Sequence, residues 1–370
     1  MKKKVLFIHA SLGGGGAERI LIDTLRNIDY SMYDVDLALV CGCGVYMKDI
    51  PEEVHYLGSI YRNRRGILKR IIARLHLSYL FEPREINRLV KGNYDTIVSF
   101  LEGFPTRYHS YILKQASNNV AWVHCDLFAN HWSRWRYLND AEEAAVYSQM
   151  DSVVFVSQNG LDAFRRLFHY EKDNLRVIHN PIDKDRIVRL AAEGNVVKEV
   201  FTYVAVGRLS ISKRYDRMIK AVRILKDRGC HFRLNILGAG DLDEELKRLT
   251  RELEVDDCVC FYGYVENPYP FIKASDVLVL SSDSEGYSTV VCEAMTLGVP
   301  VVGTNVTGIN DIVGNNEYGF VTDLTPESFA DAMYLLYSDH QKRLIYSEKA
   351  QERAESFSVE NAMKKIYSVI

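Results

Sequence analysis

Ser281-Ser282-Asp283-Ser284-Glu285-Gly286-Tyr287-Ser288-Thr289-Val290-Val291-Cys292-Glu293-Ala294 follows a short apolar run, Val277 to Leu280, that reads as a buried strand. From Ser288 to Leu297 the spacing is helical, with Val290, Val291, Ala294 and Met295 as the apolar positions. Gly298 predicts the stop, and Val299-Pro300-Val301-Val302 opens another strand. Strand, loop, helix and strand in this order predict a parallel α/β sheet. Glu285 then lies in a strand-to-helix loop and Glu293 inside the helix, with the small polar residues Ser288 and Thr289 between them at the helix start. The free N–H groups and positive dipole end of a helix N-terminus suit a phosphate. In open parallel sheets, ligands bind at the carboxyl ends of the strands. Two carboxylates around a phosphate seat suit a sugar joined to a diphosphate. The plainer alternative makes Glu285 a helix cap and Glu293 a solvated helix residue.

The same grammar extends in both directions. Near the N-terminus a strand, Val5 to Ile8, leads into Gly13-Gly14-Gly15-Gly16-Ala17-Glu18-Arg19 and a helix with Ile20, Leu21, Leu25 and Ile28 on one face. This is the opening of a Rossmann-like half, but the dinucleotide fingerprint fails. The third glycine position falls on Glu18 or Arg19, and the second strand, Val35 to Val40, ends in Cys41-Gly42 without an acidic ribose ligand. No Gly-Lys-Ser/Thr follows, so it is not a Walker loop either. Further strands are expected at Thr96 to Phe100, at Val120 to His124 with His124 at the carboxyl end, and at Ser152 to Val156. Val177 to Asp183 reads as an exit strand and turn, with Asn180-Pro181 as the turn signal. Residues 1–183 are expected to form one domain.

The pattern restarts with a strand from Phe201 to Val206, a loop from Gly207 to Arg214 and a helix carrying Met218, Ile219, Val222 and Leu225. Arg208 and Lys213 in that loop would neutralise a diphosphate; the alternative is plain surface charge. Leu234 to Leu237 and Val259 to Val265 continue the sheet, and the chain reads as helical from Glu327 to its end. Residues 184–350 are expected to form the second domain and 351–370 a helix crossing back to the first. Asp241 and Asp243 imitate a metal-binding Asp-x-Asp, but acids at a helix start are expected there as caps, so no metal site is assigned.

Composition narrows the function classes. A prior of roughly 150 residues per domain gives two domains for 370 residues. A net charge of −3 points to no nucleic-acid partner. Seven cysteines without a repeated Cys-x-x-Cys or an accompanying histidine cluster suggest free thiols in a reducing, cytoplasmic compartment. Lys2-Lys3-Lys4 is followed by too short an apolar run for a signal sequence, and no apolar stretch approaches about 18 residues. Arg62, Arg64, Arg65, Lys69, Arg70 and Arg74 interleave with Ile67, Leu68, Ile71, Ile72, Leu75 and Leu77, and no acid occurs between Tyr61 and Phe81. This basic amphipathic helix fits an anionic membrane surface or an anionic lipid-linked substrate, against the alternative of an ordinary helix packed on a sheet. Trp132 to Tyr137 adds aromatic and basic residues suited to a headgroup boundary, an acceptor wall or core.

Taken together, Glu285-x7-Glu293, Gly207-Arg208-Leu209-x3-Lys213 and Gly15-Gly16-Ala17-Glu18-Arg19 resemble the retaining glycosyltransferases of family four, and the last motif resembles the bacterial surface-polysaccharide members. The resemblance spans nearly the whole chain. It implies the GT-B fold, an α/β architecture of two Rossmann-like domains facing a central crevice. It also implies transfer of a sugar from a nucleotide-sugar, with a UDP-sugar favoured, to a glycan acceptor. The basic helix favours a polyprenyl-linked acceptor at the inner face of the membrane, and since the cations Arg208 and Lys213 can replace a metal ion, no cofactor or metal is expected. By position, Arg208 and Lys213 would bind the donor diphosphate. Gly286, Tyr287, Ser288 and Thr289 would offer backbone N–H groups, Glu285 would hold sugar hydroxyls, and Glu293 the ribose. The Gly263–Val265 turn, Val265 included, would meet the base. Gly15 and Gly16 would close over the donor, and His124 would lie near the sugar and acceptor. Tyr287 stands where Phe or a small residue is common, which bears on sugar choice. The competing expectations are a non-catalytic nucleotide-sugar or glycan-binding protein and another GT-B enzyme such as a nucleotide-sugar epimerase.

Overall fold

The computed structural model describes residues 2–61 and 81–370. The chain divides into two units, residues 1–181 with Glu360–Ile370, and Ile182–Val359. Each is built on one all-parallel sheet, as the alternation of apolar runs and helical patterns predicts.

In the first unit the strands are β1 (Lys3–His9), β2 (Tyr33–Leu39), β3 (His55–Ser59), β4 (Tyr94–Ser99), β5 (Ala116–Val123), β6 (Ser152–Phe155) and β7 (Leu175–Val177). They lie in the order β3-β2-β1-β4-β5-β6-β7. β1 pairs with β2 on one side and β4 on the other, so the order reverses at β1/β4. Leu6, Phe7 and Ile8 are fully buried because helices cover both faces of a parallel sheet, which is why the strand reads as a continuous apolar run. The C-terminal helix Val359–Tyr367 joins this unit's contacts near its end. Tyr367 stacks on Tyr33 with ring centroids 5.3 Å apart, and the Tyr367 hydroxyl bonds the Asn27 carbonyl at 3.0 Å. Asn118 Nδ2 donates to the Val369 carbonyl at 2.8 Å.

In the second unit the strands are β8 (Phe201–Val206), β9 (Phe232–Leu237), β10 (Val259–Gly263), β11 (Val277–Leu280), β12 (Val301–Thr304) and β13 (Phe320–Thr322), in the order β10-β9-β8-β11-β12-β13. Here the reversal falls between β8 and β11, and the carboxyl ends of two such strands are where a ligand crevice opens in a doubly wound sheet. Met218, Ile219, Val222 and Leu225 of the helix Tyr215–Asp227 pack on Tyr203, Leu234 and Val279 in one buried cluster.

Several expectations are corrected. The stretch from Glu327 onward is not one helix. Pro326–Ser338 ends at Asp339, whose carboxylate accepts the Lys342 N–H and caps His340–Ala354, and the chain breaks again before Val359–Tyr367. The exit strand near Val177 is only the three residues of β7. The acids at Asp241 and Asp243 make no side-chain cap bond; Asp243 opens the helix Asp243–Glu252 and pairs with Lys247 at 2.6 Å.

Two imidazoles of the first unit, His9 and His109, are fully enclosed, and a third, His124, is half-buried. Burial lowers His9 and His109 to about 4 and His124 to about 3. A histidine whose folded pKa lies below its unfolded value of about 6.5 stabilises the fold above that value. The contribution is lost as pH falls toward the folded pKa, because the unfolded chain takes up the proton first. At pH 5 this amounts to roughly 2 kcal/mol per histidine. The melting temperature is therefore expected to fall between pH 6.5 and 4, and His109→Gln to shallow that slope. Equal slopes for the variant and the parent would show that His109 is not buried in its neutral form.

Candidate active site

The two loops that flank the reversal of the second sheet meet. After β8 the chain turns at Gly207 and Arg208, passes a short 3-10 turn, Ile211–Lys213, and enters the helix Tyr215–Asp227 through Arg214 in the left-handed conformation. After β11 it runs through Ser281–Ser288 into the helix Thr289–Thr296. Lys213 Nζ sits 2.6 Å from Glu285 Oε1, and the Ser282 hydroxyl donates to the same oxygen at 2.6 Å. The Lys213 side chain is 25% exposed and that of Glu285 11%. Glu285 is therefore neither a helix cap nor solvated; its carboxylate is fixed by two donors. Arg208 is exposed, and its side chain has no ion-pair or hydrogen-bond partner among the described residues.

A second set of contacts holds the loops rigidly. The Ser281 hydroxyl bonds the carbonyls of Lys213 at 3.0 Å and Arg214 at 2.8 Å. Arg217, nearly enclosed, donates to the Ser281 carbonyl at 2.7 Å and to Asp283 at 2.6 Å. Arg214 reaches Asp283 at 2.9 Å and grips Asp216. The next loops of the sheet join in. Gly207 N–H donates to Leu237, Leu209 N–H to Ala239 and Gly238 N–H to Gly263. A Cβ on Gly238 would lie 1.9 Å from the Gly207 carbonyl oxygen, so glycine is required for this close approach.

The helix Thr289–Thr296 starts at Ser288 without a side-chain cap bond, leaving its first N–H groups to a ligand or water. Gly286, Ser288 and Thr289 lie at that start, and Gly298 ends the segment with positive φ. The Tyr287 ring is buried, and its hydroxyl meets Cys292. Burial and then Cys292 raise the Tyr287 pKa. Glu293 is half-buried and accepts from the Tyr269 hydroxyl at 3.1 Å. β10 ends at Gly263, whose positive φ turns the chain toward the partly exposed Val265.

In the first unit, Gly15 caps the helix Gly16–Arg26 with extended backbone and no side-chain bond, and Gly16 has open space where a Cβ would be. His124 follows β5. Its backbone N–H donates to Glu102 at 2.8 Å, its ring lies 5.0 Å from that of Phe100, and its Nε2 has no partner among the described residues. Desolvation and then the neighbouring His9 lower the pKa of this half-buried ring to about 3, which holds it neutral. Trp132, of the aromatic and basic segment, is tied down by Glu102 at 2.9 Å, and Arg136 by Glu82 at 2.5 Å and the Phe104 ring at 3.6 Å; Trp135 stays exposed. Arg62, Arg64, Arg65, Lys69 and Arg70 lie outside the described residues. Among the described residues no group of three or more potential ligands is placed to hold a metal ion, and no helix is long and apolar enough to cross a membrane.

Sequence reasoning missed Ser282, Asp283, Arg217 and Gly308. A cation on the buried face of the helix Tyr215–Asp227 was the one available signal for Arg217. Gly308 N–H donates to the Glu285 carbonyl at 3.0 Å, and nothing local announces that contact.

Residues 14–186 match the model of glycosyltransferase family 4, and residues 189–353 that of glycosyl transferases group 1. Over 367 residues, 96% of each chain, the sequence is 28% identical to a Campylobacter jejuni N-acetylgalactosamine-N,N'-diacetylbacillosaminyl-diphospho-undecaprenol 4-alpha-N-acetylgalactosaminyltransferase. It is 22% identical to the lipopolysaccharide 1,6-galactosyltransferase of Escherichia coli, covering 84% of this chain and 82% of that one. The fold matches Anabaena HepE in complex with UDP-glucose with a TM-score of 0.75 at 21% identity, over 99% of this chain and 98% of the other.

Proposed function

This chain belongs to the family 4 glycosyltransferases, and from that premise we propose that it moves a sugar from a UDP-sugar to a lipid-linked glycan acceptor in the making of a cell-surface polysaccharide. The observation that carries the reading is the Lys213–Glu285 contact beside the uncapped helix Thr289–Thr296, with the unpaired Arg208 on the same loop as Lys213. Breaking the bond between the anomeric carbon and the β-phosphate oxygen leaves negative charge on the phosphate. Arg208, Lys213 and the backbone N–H groups of Gly286, Tyr287, Ser288 and Thr289, at and just before the helix start, would hold that charge before it forms. They take the part that a metal ion plays elsewhere, so transfer is expected to persist in EDTA. A UDP-bearing relative of the same fold and a relative named for an undecaprenol-linked substrate support the choice of donor and acceptor.

Glu285 holds hydroxyls of the transferred sugar with the oxygen left over from Lys213 and Ser282. A carboxylate so tied is a poor nucleophile, which supports attack by the acceptor on the same face as the leaving group, with retention. The acceptor oxygen bonds to the anomeric carbon, the phosphate departs, and the acceptor proton passes to the departing phosphate oxygen. Glu293 holds the ribose and the Gly263–Val265 turn the base. His124, Gly15 and Gly16 carry the roles that the family resemblance gives them.

The direct test incubates the protein with UDP-sugars and polyprenyl-diphosphate-linked saccharides and follows the acceptor by mass spectrometry. A gain of one sugar with an α linkage supports the proposal. UDP binding without transfer to any acceptor supports a non-catalytic binding protein instead. Glu293→Ala is expected to weaken UDP roughly ten- to a hundredfold, the loss of a hydrogen bond to a charged group, while Tyr269→Phe leaves UDP affinity unchanged. Calorimetric titration of both variants decides; equal affinities would remove Glu293 from the ribose. Neutralising Arg64, Arg65, Lys69 and Arg70 together is expected to reduce sedimentation with anionic vesicles several-fold at low salt. Undiminished binding would return that segment to plain scaffold.

A further inference from the structure

The turn after β2 carries two cysteines that the transfer chemistry does not use. Cys41 and Cys43 are both exposed, and their sulfurs lie 3.1 Å apart. The other five cysteines, Cys125, Cys230, Cys258, Cys260 and Cys292, are half-buried or buried. A disulfide needs the two sulfurs at about 2.05 Å, so closure asks for a movement of about 1 Å. The turn is already folded for it, because the Cys43 N–H donates to the Cys41 carbonyl at 2.9 Å.

What that movement would pull on is also visible. Cys41 is anchored, its N–H donating to Ala10 at 2.8 Å, and Gly42 N–H donates to the Ser59 hydroxyl at 2.7 Å. The Cys43 carbonyl, on the other side, accepts the Leu12 N–H at 3.0 Å, and the Leu12 carbonyl accepts the Tyr46 N–H at 3.1 Å. Gly44, at φ +131, lies so close that a Cβ there would meet the Leu12 carbonyl oxygen at 1.9 Å and Gly13 N at 2.5 Å. One at Gly14 would meet Val45 at 3.2 Å. Residues 41–46 are thus the bed on which the glycine loop, Gly13 to Gly16, rests. Drawing Cys43 toward the anchored Cys41 moves the carbonyl that holds Leu12.

We infer that Cys41 and Cys43 are a modification site, a dithiol that a small disulfide such as glutathione disulfide converts reversibly to an intraloop disulfide, re-setting the glycine loop. Either sulfur can donate in the hydrogen bond between them, so either can attack first, and the products are the same. With Cys43 first, its thiolate bonds to one sulfur of glutathione disulfide, and the first glutathione thiolate leaves. Cys41 then loses its proton and attacks the Cys43 sulfur, and the second glutathione leaves. The two cysteine sulfurs are oxidised, the glutathione disulfide is reduced, and the two thiol protons end on the two glutathiones.

The inference stands apart from the proposed transfer reaction and is tested without it. The full chain is treated with glutathione disulfide, and the peptide holding Cys41 and Cys43 is weighed, while hydrogen exchange is followed at residues 10–16. The expected result is a peptide lighter by about 2 Da, restored by dithiothreitol, with faster exchange at Leu12 in the oxidised form. Cys41→Ser is expected to stop at a glutathione adduct on Cys43. An unchanged peptide mass in the parent, a lasting glutathione adduct in the parent, a covalent dimer on a non-reducing gel, or a disulfide that leaves exchange at residues 10–16 unaltered would each overturn it.

Discussion

Lys213→Ala is expected to lower kcat about a hundredfold or more, with a much smaller change in KM for the nucleotide-sugar. The reason is the state of the ammonium group before any ligand arrives. Lys213 Nζ is held 2.6 Å from Glu285 by a loop whose backbone is itself fixed through Ser281. A lysine already ordered loses little freedom when charge develops beside it, and removing one such preorganised donor costs on the order of a hundredfold or more in kcat. The alternative is that Lys213 serves only to neutralise Glu285. In that case the alanine variant melts earlier, and kcat falls only as far as Glu285→Gln makes it fall. Steady-state kinetics and thermal melts of both variants separate the two. A kcat for Lys213→Ala within a few-fold of the parent would contradict the leaving-group role.

The second large effect is expected at a residue with no side chain. Gly308 lies in the helix Thr307–Val313, and a Cβ there would meet the backbone of Gly286 at 2.5 Å and the Glu285 carbonyl oxygen at 2.7 Å. These are main-chain atoms and cannot rotate away. Gly308→Ala must push the loop outward or bend the helix, at a cost of about 1–3 kcal/mol, as for overpacking elsewhere. The displaced atoms belong to Glu285 and Gly286, so activity is expected to fall about a hundredfold as well, the penalty of a misplacement near 1 Å. Full activity in a variant that melts with the parent would show that the Glu285 loop tolerates this shift and does not position the reaction.

Much of this was legible in the sequence, for reasons that differ by element. β11 and β8 were found because strands covered on both faces are continuous apolar runs, and the helix between Ser288 and Gly298 because a glycine with positive φ ends it. β3 was missed because His55–Ser59 is only half-buried and carries no apolar run, and β13 because it has three residues. The places of Glu285 and Glu293 were legible as loop and helix positions. Their partners were not. Lys213 and Glu285 are 72 residues apart, and Arg217 and Asp283 are 66 apart. Only the strand order, which puts β8 beside β11, joins them. The orientation of Tyr287 was also hidden, since a tyrosine at a site edge and one buried against Cys292 have the same letter.

The most direct test of the account is a thermal-shift panel of UDP, GDP and their sugars on the parent protein and on Arg208→Ala/Lys213→Ala. The account predicts a rise in melting temperature with UDP and a larger one with a particular UDP-sugar, both lost in the double variant. No shift with any nucleotide in the parent, or an equal shift in the double variant, would contradict the claim that these two cations and the helix Thr289–Thr296 seat the donor diphosphate.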